Sequence, residues 1–147
     1  MNKKDMAKYL ASLTVRLVTR YQENYSRLAI ERGLTESEFR CLRLMGFEKG
    51  LSNKKIAERM SLSQSRLTRI IDGLCKKGYM TREANPKDFR ALNLTLSRKA
   101  NSFVKKLDKN NIDLHYTILN NTSVPQQKAL VAAMEKLYSE TKKWLRK

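Results

Sequence analysis

Leu62-Ser63-Gln64-Ser65-Arg66-Leu67-Thr68-Arg69-Ile70-Ile71-Asp72-Gly73-Leu74 reads as a capped amphipathic helix. Ser63 supplies the cap. Leu67, Ile70, Ile71 and Leu74 recur at i, i+3, i+4 and i+7, the spacing of one buried side. At about 100° per residue, the opposite side carries Ser65, Arg69, Asp72 and Lys76. Arg66 and Thr68 flank it, and Gln64 sits at the N-terminal end. The pattern runs to about Lys77, and Gly78 stops it.

A flank of Ser, Arg, Lys and Gln suits a helix lying in a DNA major groove. Arg donates two hydrogen bonds to guanine O6 and N7, and Gln pairs with adenine. The free N–H groups of a helix N-terminus also favour phosphate. Asp72 opposes this, because phosphates repel a carboxylate unless Arg69, three residues away, pairs with it. An ordinary solvated helix face has the same composition, so the helix alone leaves both readings open.

Its neighbours narrow the choice. Ser52 caps a shorter helix with Ile56, Ala57 and Met60 inward, so residues 52–77 are two short helices joined by a tight turn. Beyond Gly78 the period changes. Tyr79–Glu83 and Ala91–Leu96 are extended in character, and Leu92, Leu94 and Leu96 alternate with Ala91, Asn93 and Thr95. Asn85-Pro86-Lys87-Asp88-Phe89-Arg90 lies between them, and Asn-Pro favours a turn. This predicts a hairpin whose tip carries Lys87 and Arg90. An Arg on such a tip suits a narrow minor groove, where the potential is most negative, and Asp88 can hold it by a salt bridge. The hairpin also serves simply to close the lobe. A helix-turn-helix followed by a basic hairpin is a winged helix.

Long helices flank this unit. Residues 3–32 lack Pro and Gly, and Met6, Leu10, Leu13, Leu17, Tyr21, Tyr25 and Leu28 form a helical stripe. Gly33 is its expected stop. Thr35-Glu36-Ser37-Glu38 matches a capping box, and Phe39, Leu42 and Met45 face inward before Gly46 is expected to end that helix. Ser97 caps a fifth helix marked by Ala100, Phe103, Val104, Leu107, Leu114 and Ile118, its stripe interrupted by the polar stretch Asp108–Asn111. Ser123-Val124-Pro125-Gln126 opens a last helix, since Pro is tolerated in the first turn. Leu130, Met134, Leu137 and Trp144 stripe it. The expected fold is mainly α with a small β-hairpin wing. Residues 35–97 form the winged helix-turn-helix lobe, and 1–34 with 98–147 form a helical lobe that pairs with the same helices of a second chain.

Composition agrees. The 147 residues include 31 Lys and Arg against 14 Asp and Glu, a formal charge of +17. That excess favours a polyanionic partner. Residues 1–34 carry seven basic and three acidic side chains, residues 35–97 thirteen and seven, and residues 98–147 eleven and four, so charge alone does not locate the face. No apolar run approaches the roughly 18 to 20 residues of a membrane span, and no signal-peptide core is present. The chain therefore reads as intracellular, in the cytoplasm. There is no Gly-rich phosphate loop, no Cys-x-x-Cys and no Gly-x-Ser-x-Gly, and one histidine offers no metal-ligand set. No cofactor is expected, and an enzyme is disfavoured because no nucleophile–base pair is visible.

Residues 62–74, followed by Lys77-Gly78-Tyr79-Met80-Thr81-Arg82, resemble the recognition-helix segment of MarR-type regulators. Asn85-Pro86-Lys87-Asp88-Phe89-Arg90-Ala91 is similar to that family's wing, where an Asp and an Arg two apart recur. Leu94-x-Leu96-Ser97-x-x-Ala100 resembles its Leu-Thr-x-x-Gly exit into the next helix. Asn85, Phe89 and Ala100 depart from that family's commoner Asp, basic residue and Gly. The resemblance implies a homodimeric transcriptional regulator, a repressor by preference, on a pseudo-palindromic operator of double-stranded DNA. Ser63, Gln64, Ser65, Arg66, Thr68 and Arg69 would meet DNA from the recognition helix. Lys87, Asp88 and Arg90 would do so from the wing, and Lys54, Lys55 and Lys76 would hold phosphates. A winged helix that contacts RNA or protein is the alternative. A peripheral membrane protein is disfavoured by the mixed charge of the first helix.

Several residues carry two readings. Tyr21 and Tyr25, with Tyr9, suit a pocket for a small-molecule effector, or a dimer core. Cys41 and Cys75 suit small packing residues; Cys75, followed by Lys76 and Lys77, also suits a redox-sensing thiol. His115 reads as a surface or interface polar residue.

Overall fold

The computed structural model describes residues 1–48 and 50–146, without the side chains of residue 85 and of residues 88–92. The chain runs α1 (Lys3–Glu31), α2 (Glu36–Phe47), α3 (Asn53–Met60), α4 (Gln64–Lys76), β1 (Met80–Asn85), β2 (Asp88–Leu96), α5 (Arg98–Asn120) and α6 (Val124–Trp144). Each expected element is present. Two compact units are distinguished, Met1–Val104 and Lys105–Lys147.

Local chemistry sets the boundaries. Asn2, Thr35, Ser52 and Ser63 each accept a hydrogen bond from a first-turn N–H of the helix they cap. The Thr35–Glu38 capping box closes in both directions: the Glu38 N–H donates to Thr35 Oγ1 at 3.1 Å, and the Thr35 N–H to Glu38 Oε2 at 2.9 Å. Gly33 and Gly78 end α1 and α4 at φ +67° and +78°, a backbone region other residues rarely adopt.

Two expectations are corrected. Gly46 does not stop α2, which continues through Phe47. Its role is close approach instead: a Cβ there would lie 2.4 Å from Val104 Cγ1 on α5. The hairpin is longer than the hydrophobic alternation suggested. β1 and β2 pair antiparallel from Met80↔Leu96 to Ala84↔Leu92, and after an irregularity Asn85 pairs with Asp88. The turn proper is therefore Pro86-Lys87. Ladder hydrogen bonds tolerate polar residues, so the strands outlast the apolar pattern that revealed them. As expected, α5 is one helix that runs through the polar stretch 108–111.

The core of Met1–Val104 gathers Leu34, Phe39, Cys41, Leu42, Ile56, Leu67, Leu74, Tyr79 and Phe103, all buried. Aromatic rings chain through it. Tyr21 lies 6.1 Å from Tyr25, Tyr25 lies 5.6 Å from Phe39, and Phe39 meets Phe103 edge-on at 5.8 Å. In Lys105–Lys147, Gln127 Nε2 donates to the carbonyls of Leu119 (3.0 Å) and Thr122 (3.1 Å), tying the start of α6 to the end of α5.

Candidate nucleic-acid interface

Packing fixes which side of α4 faces outward. Leu67, Ile71 and Leu74 are 1%, 4% and 0% exposed, and Ile70 is half-buried. The helix therefore cannot rotate without exposing its apolar side. Ser63, Gln64, Ser65, Arg66, Thr68, Arg69 and Lys76 are all exposed, as are Lys54 and Lys55 on α3. Of those nine residues, Ser65, Arg69 and Lys76 lie on the outward side of α4 expected from periodicity, with Arg66 and Thr68 flanking it.

Hydrogen bonds sort the flank further. Ser63 Oγ accepts from the Arg66 N–H at 3.3 Å and lies 3.2 Å from Ser65 Oγ. The Thr68 hydroxyl donates to the Gln64 carbonyl at 2.9 Å, which leaves its oxygen only as an acceptor. Lys55 lies 3.8 Å from Glu58, a loose exposed pair. No carboxylate among the described residues pairs with Arg66 or Arg69.

The expected Arg69–Asp72 pairing is not formed. Asp72 is bonded instead by Arg82 of β1. That hydrogen bond is the chief reason the Arg82 pKa rises above its already high ordinary value. The exchange has two effects. It screens the one carboxylate on the flank and leaves the Arg69 guanidinium for another acceptor. It also ties the first strand of the wing to the recognition helix.

A second strut lies behind the helix. Glu38 is buried, and its Oε2 accepts from Lys77 Nζ at 2.6 Å as well as from the Thr35 N–H. Gly73 leaves room for this carboxylate, since a Cβ there would lie 2.2 Å from Glu38 Oε1. Ser97 Oγ donates to the Gly78 carbonyl at 2.7 Å, and Lys99 Nζ to that of Lys77 at 3.1 Å, so the start of α5 clamps the end of α4. Sequence reasoning missed Glu38, Arg82 and Lys77 as supports. A glycine inside a helix was the available signal of close approach.

Lys87 is exposed in the wing turn. The side chains of Asp88 and Arg90 lie outside the described residues, so the expected salt bridge between them does too. Tyr21 and Tyr25 are half-buried on α1. Burial, and then Tyr25, raise the Tyr21 pKa. Cys41 is fully buried and its thiol is pushed up to about 12 by desolvation; Cys75 is half-buried. Among the described residues no group of His, Cys, Asp and Glu is arranged to hold a metal ion. Among the described residues no helix is long and apolar enough to cross a membrane.

A capped two-helix turn, an outward hydrophilic recognition helix and a hairpin wing braced against it define a winged helix-turn-helix protein. The MarR family model matches residues 34–92, so this segment is similar to that family. The chain is 28% identical over 108 residues to the HTH-type transcriptional repressor Rv2887 of Mycobacterium tuberculosis, covering 74% of this chain and 78% of that one. Its fold is similar to that of a MarR family protein from Bacillus stearothermophilus, with a TM-score of 0.77 at 18% identity over 97% of this chain and 99% of that one. It is also similar to Streptococcus pneumoniae FabT, whose structure is a complex with DNA. There the TM-score is 0.75 at 15% identity, over 97% of this chain and 99% of that one.

Proposed function

We propose that this protein is a sequence-specific regulator of transcription that binds double-stranded DNA as a homodimer in the cytoplasm. The observation that carries the reading is the outward flank of α4. Gln64, Ser65, Arg66 and Arg69 are exposed on a helix whose rotation is fixed by packing, and Asp72 on that flank is screened by Arg82. These four read base edges, while Lys54, Lys55, Lys76 and Lys87 engage the backbone and Arg90, held by Asp88, enters the minor groove. Relatives named as HTH-type repressors, and a DNA complex among proteins of similar fold, support the same reading.

The homodimer rests on apolar stripes left uncovered in the single chain. Leu10, Leu13 and Leu17 on α1 are exposed, as are Leu130, Met134 and Trp144 on α6. Exposed apolar area of this extent is unfavourable unless another surface covers it. In the proposed assembly residues 1–34 and 98–147 form the pairing lobe and residues 35–97 the reading lobe. Two recognition helices then lie about 34 Å apart on a pseudo-palindrome. Binding represses transcription by occupying a promoter. A small-molecule effector seated beside Tyr21 and Tyr25 releases the DNA by favouring a different spacing of the helices.

Selection from random duplexes with purified protein tests this. Enrichment of a pseudo-palindrome that outcompetes structured RNA at matched salt is the expected result. Preference for the RNA, or enrichment of no sequence, assigns the winged helix to another partner.

A further inference from the structure

Asp72 is the only carboxylate in the α4 sequence, and two arginines compete for it. Arg69 stands three residues before it on the same helix, a spacing at which side chains meet. Arg82 reaches it from β1, and Arg82 is the one bonded.

The fold decides between them. After Gly78, at φ +78°, the chain turns back, and Tyr79 and Met80 are buried against the core. Successive strand side chains point to opposite faces, so Arg82 shares the inward face of Met80 while Thr81 and Glu83 take the other. Arg82 also lies beside Cys75, three residues beyond Asp72 on α4. Arg69 is left exposed, with no carboxylate partner among the described residues.

The competition matters most on a duplex. In water an exposed arginine–aspartate pair on one helix is weak. Against DNA, phosphates repel an uncompensated carboxylate, and desolvating it is unfavourable unless a cation accompanies it. If Arg82 were absent, Arg69 would be the cation at hand.

We propose that Arg82 is a positioning residue for base reading: by occupying Asp72 it keeps the Arg69 guanidinium for a base. Without Arg82, Asp72 captures Arg69, and the helix loses selectivity at one base pair while keeping its place on the duplex. This rests on α4 reading DNA as proposed above, and adds that the first strand of the wing decides which acceptor Arg69 meets.

The test is competition binding of the full-length protein to an operator selected from random duplexes. That operator is compared in all four versions of the base pair whose preference disappears in Arg69→Ala. The parent should prefer one version by about fivefold or more, the lower end for a bidentate arginine contact. Arg82 is exposed, so Arg82→Ala leaves the core intact. It should lose that preference and retain those at other positions. Adding Asp72→Ala to Arg82→Ala should restore it. Arg82→Lys, which keeps a cation for Asp72, should retain it. Changes in overall charge act on every sequence alike and cancel in such a ratio. The double variant also lacks the bond between strand and helix, so restoration cannot come from tethering. Preference retained in Arg82→Ala would overturn the proposal. So would a loss that Asp72→Ala does not restore, which would make the bond a tether only. Either result leaves the reading of DNA by α4 standing, because Arg69→Ala still differs from the parent. Equal preferences in the parent and Arg69→Ala at every base pair would overturn both, since Arg69 would then read no base.

Discussion

Gly73 is a mid-helix glycine with an identifiable cause. Glycine inside a helix is about 1 kcal/mol less favourable than alanine. Here that loss is accepted because the Glu38 carboxylate occupies the space of a Cβ. Gly73→Ala sets helix propensity against the strut. Displacing Glu38 strands a buried carboxylate and breaks its bonds to Thr35 and Lys77, so the strut dominates. Gly73→Ala is expected to destabilise the protein by about 1–3 kcal/mol in urea unfolding; an increase in stability would show that Glu38 moves aside freely. Arg69, like Arg66, is exposed and without a carboxylate among the described residues, and so is available for a base. Arg69→Ala should cost about 1–3 kcal/mol of binding if it makes a bidentate contact. A gel-shift titration with unchanged affinity and selectivity would remove it from the reading set. The two thiols should also differ. Burial holds the Cys41 proton until about pH 12, whereas an unfolded chain releases it near the ordinary thiol value. Between those values the unfolded state binds fewer protons, so this group's contribution to stability falls as pH rises from about 9. At pH 8 an alkylating reagent should label Cys75 well before Cys41. Comparable rates would mean that the core around Cys41 opens readily.

Among the helices and strands, caps and stripes were legible because they depend on neighbours in sequence. Thr35 with Glu38, Ser52, Ser63 and the Leu67–Leu74 stripe need nothing from elsewhere in the chain to be recognised. Pairings across the chain were not legible. Arg82 stands ten residues from Asp72 and Lys77 stands 39 from Glu38, and nothing local distinguishes them from other basic residues. Gly46 misled for the same reason: a glycine that ends a helix and one that admits a neighbour are identical in sequence. α2 and α5 meet closely at Gly46 and Val104, which makes a direct test. Gly46→Ala should destabilise the fold by about 1–3 kcal/mol through overpacking, and adding Val104→Ala should recover part of the loss. Strict additivity of the two changes would place the helices further apart than described. For the wing, Arg90→Ala should weaken DNA binding and make its salt dependence shallower. An unaltered slope would take the hairpin out of the interface.

The chain as a whole pairs a large positive charge with apolar stripes that a single copy leaves uncovered. Both follow if two copies join through their terminal helices and lie on a polyanion. Like-charged terminal segments resist that pairing, so added salt, which screens them, should strengthen the dimer. The same salt should weaken DNA binding, because releasing the DNA's counterions into more concentrated salt is less favourable. The central claim is that a twofold pair of subunits presents the outer flank of α4 to one face of a duplex. Hydroxyl-radical footprinting on a selected operator tests it most directly. The expected footprint has two symmetric protected regions centred about 34 Å, or one helical turn, apart, and both vanish together in Arg66→Ala/Arg69→Ala. A single protected half-site, or two that persist in that double variant, would contradict it.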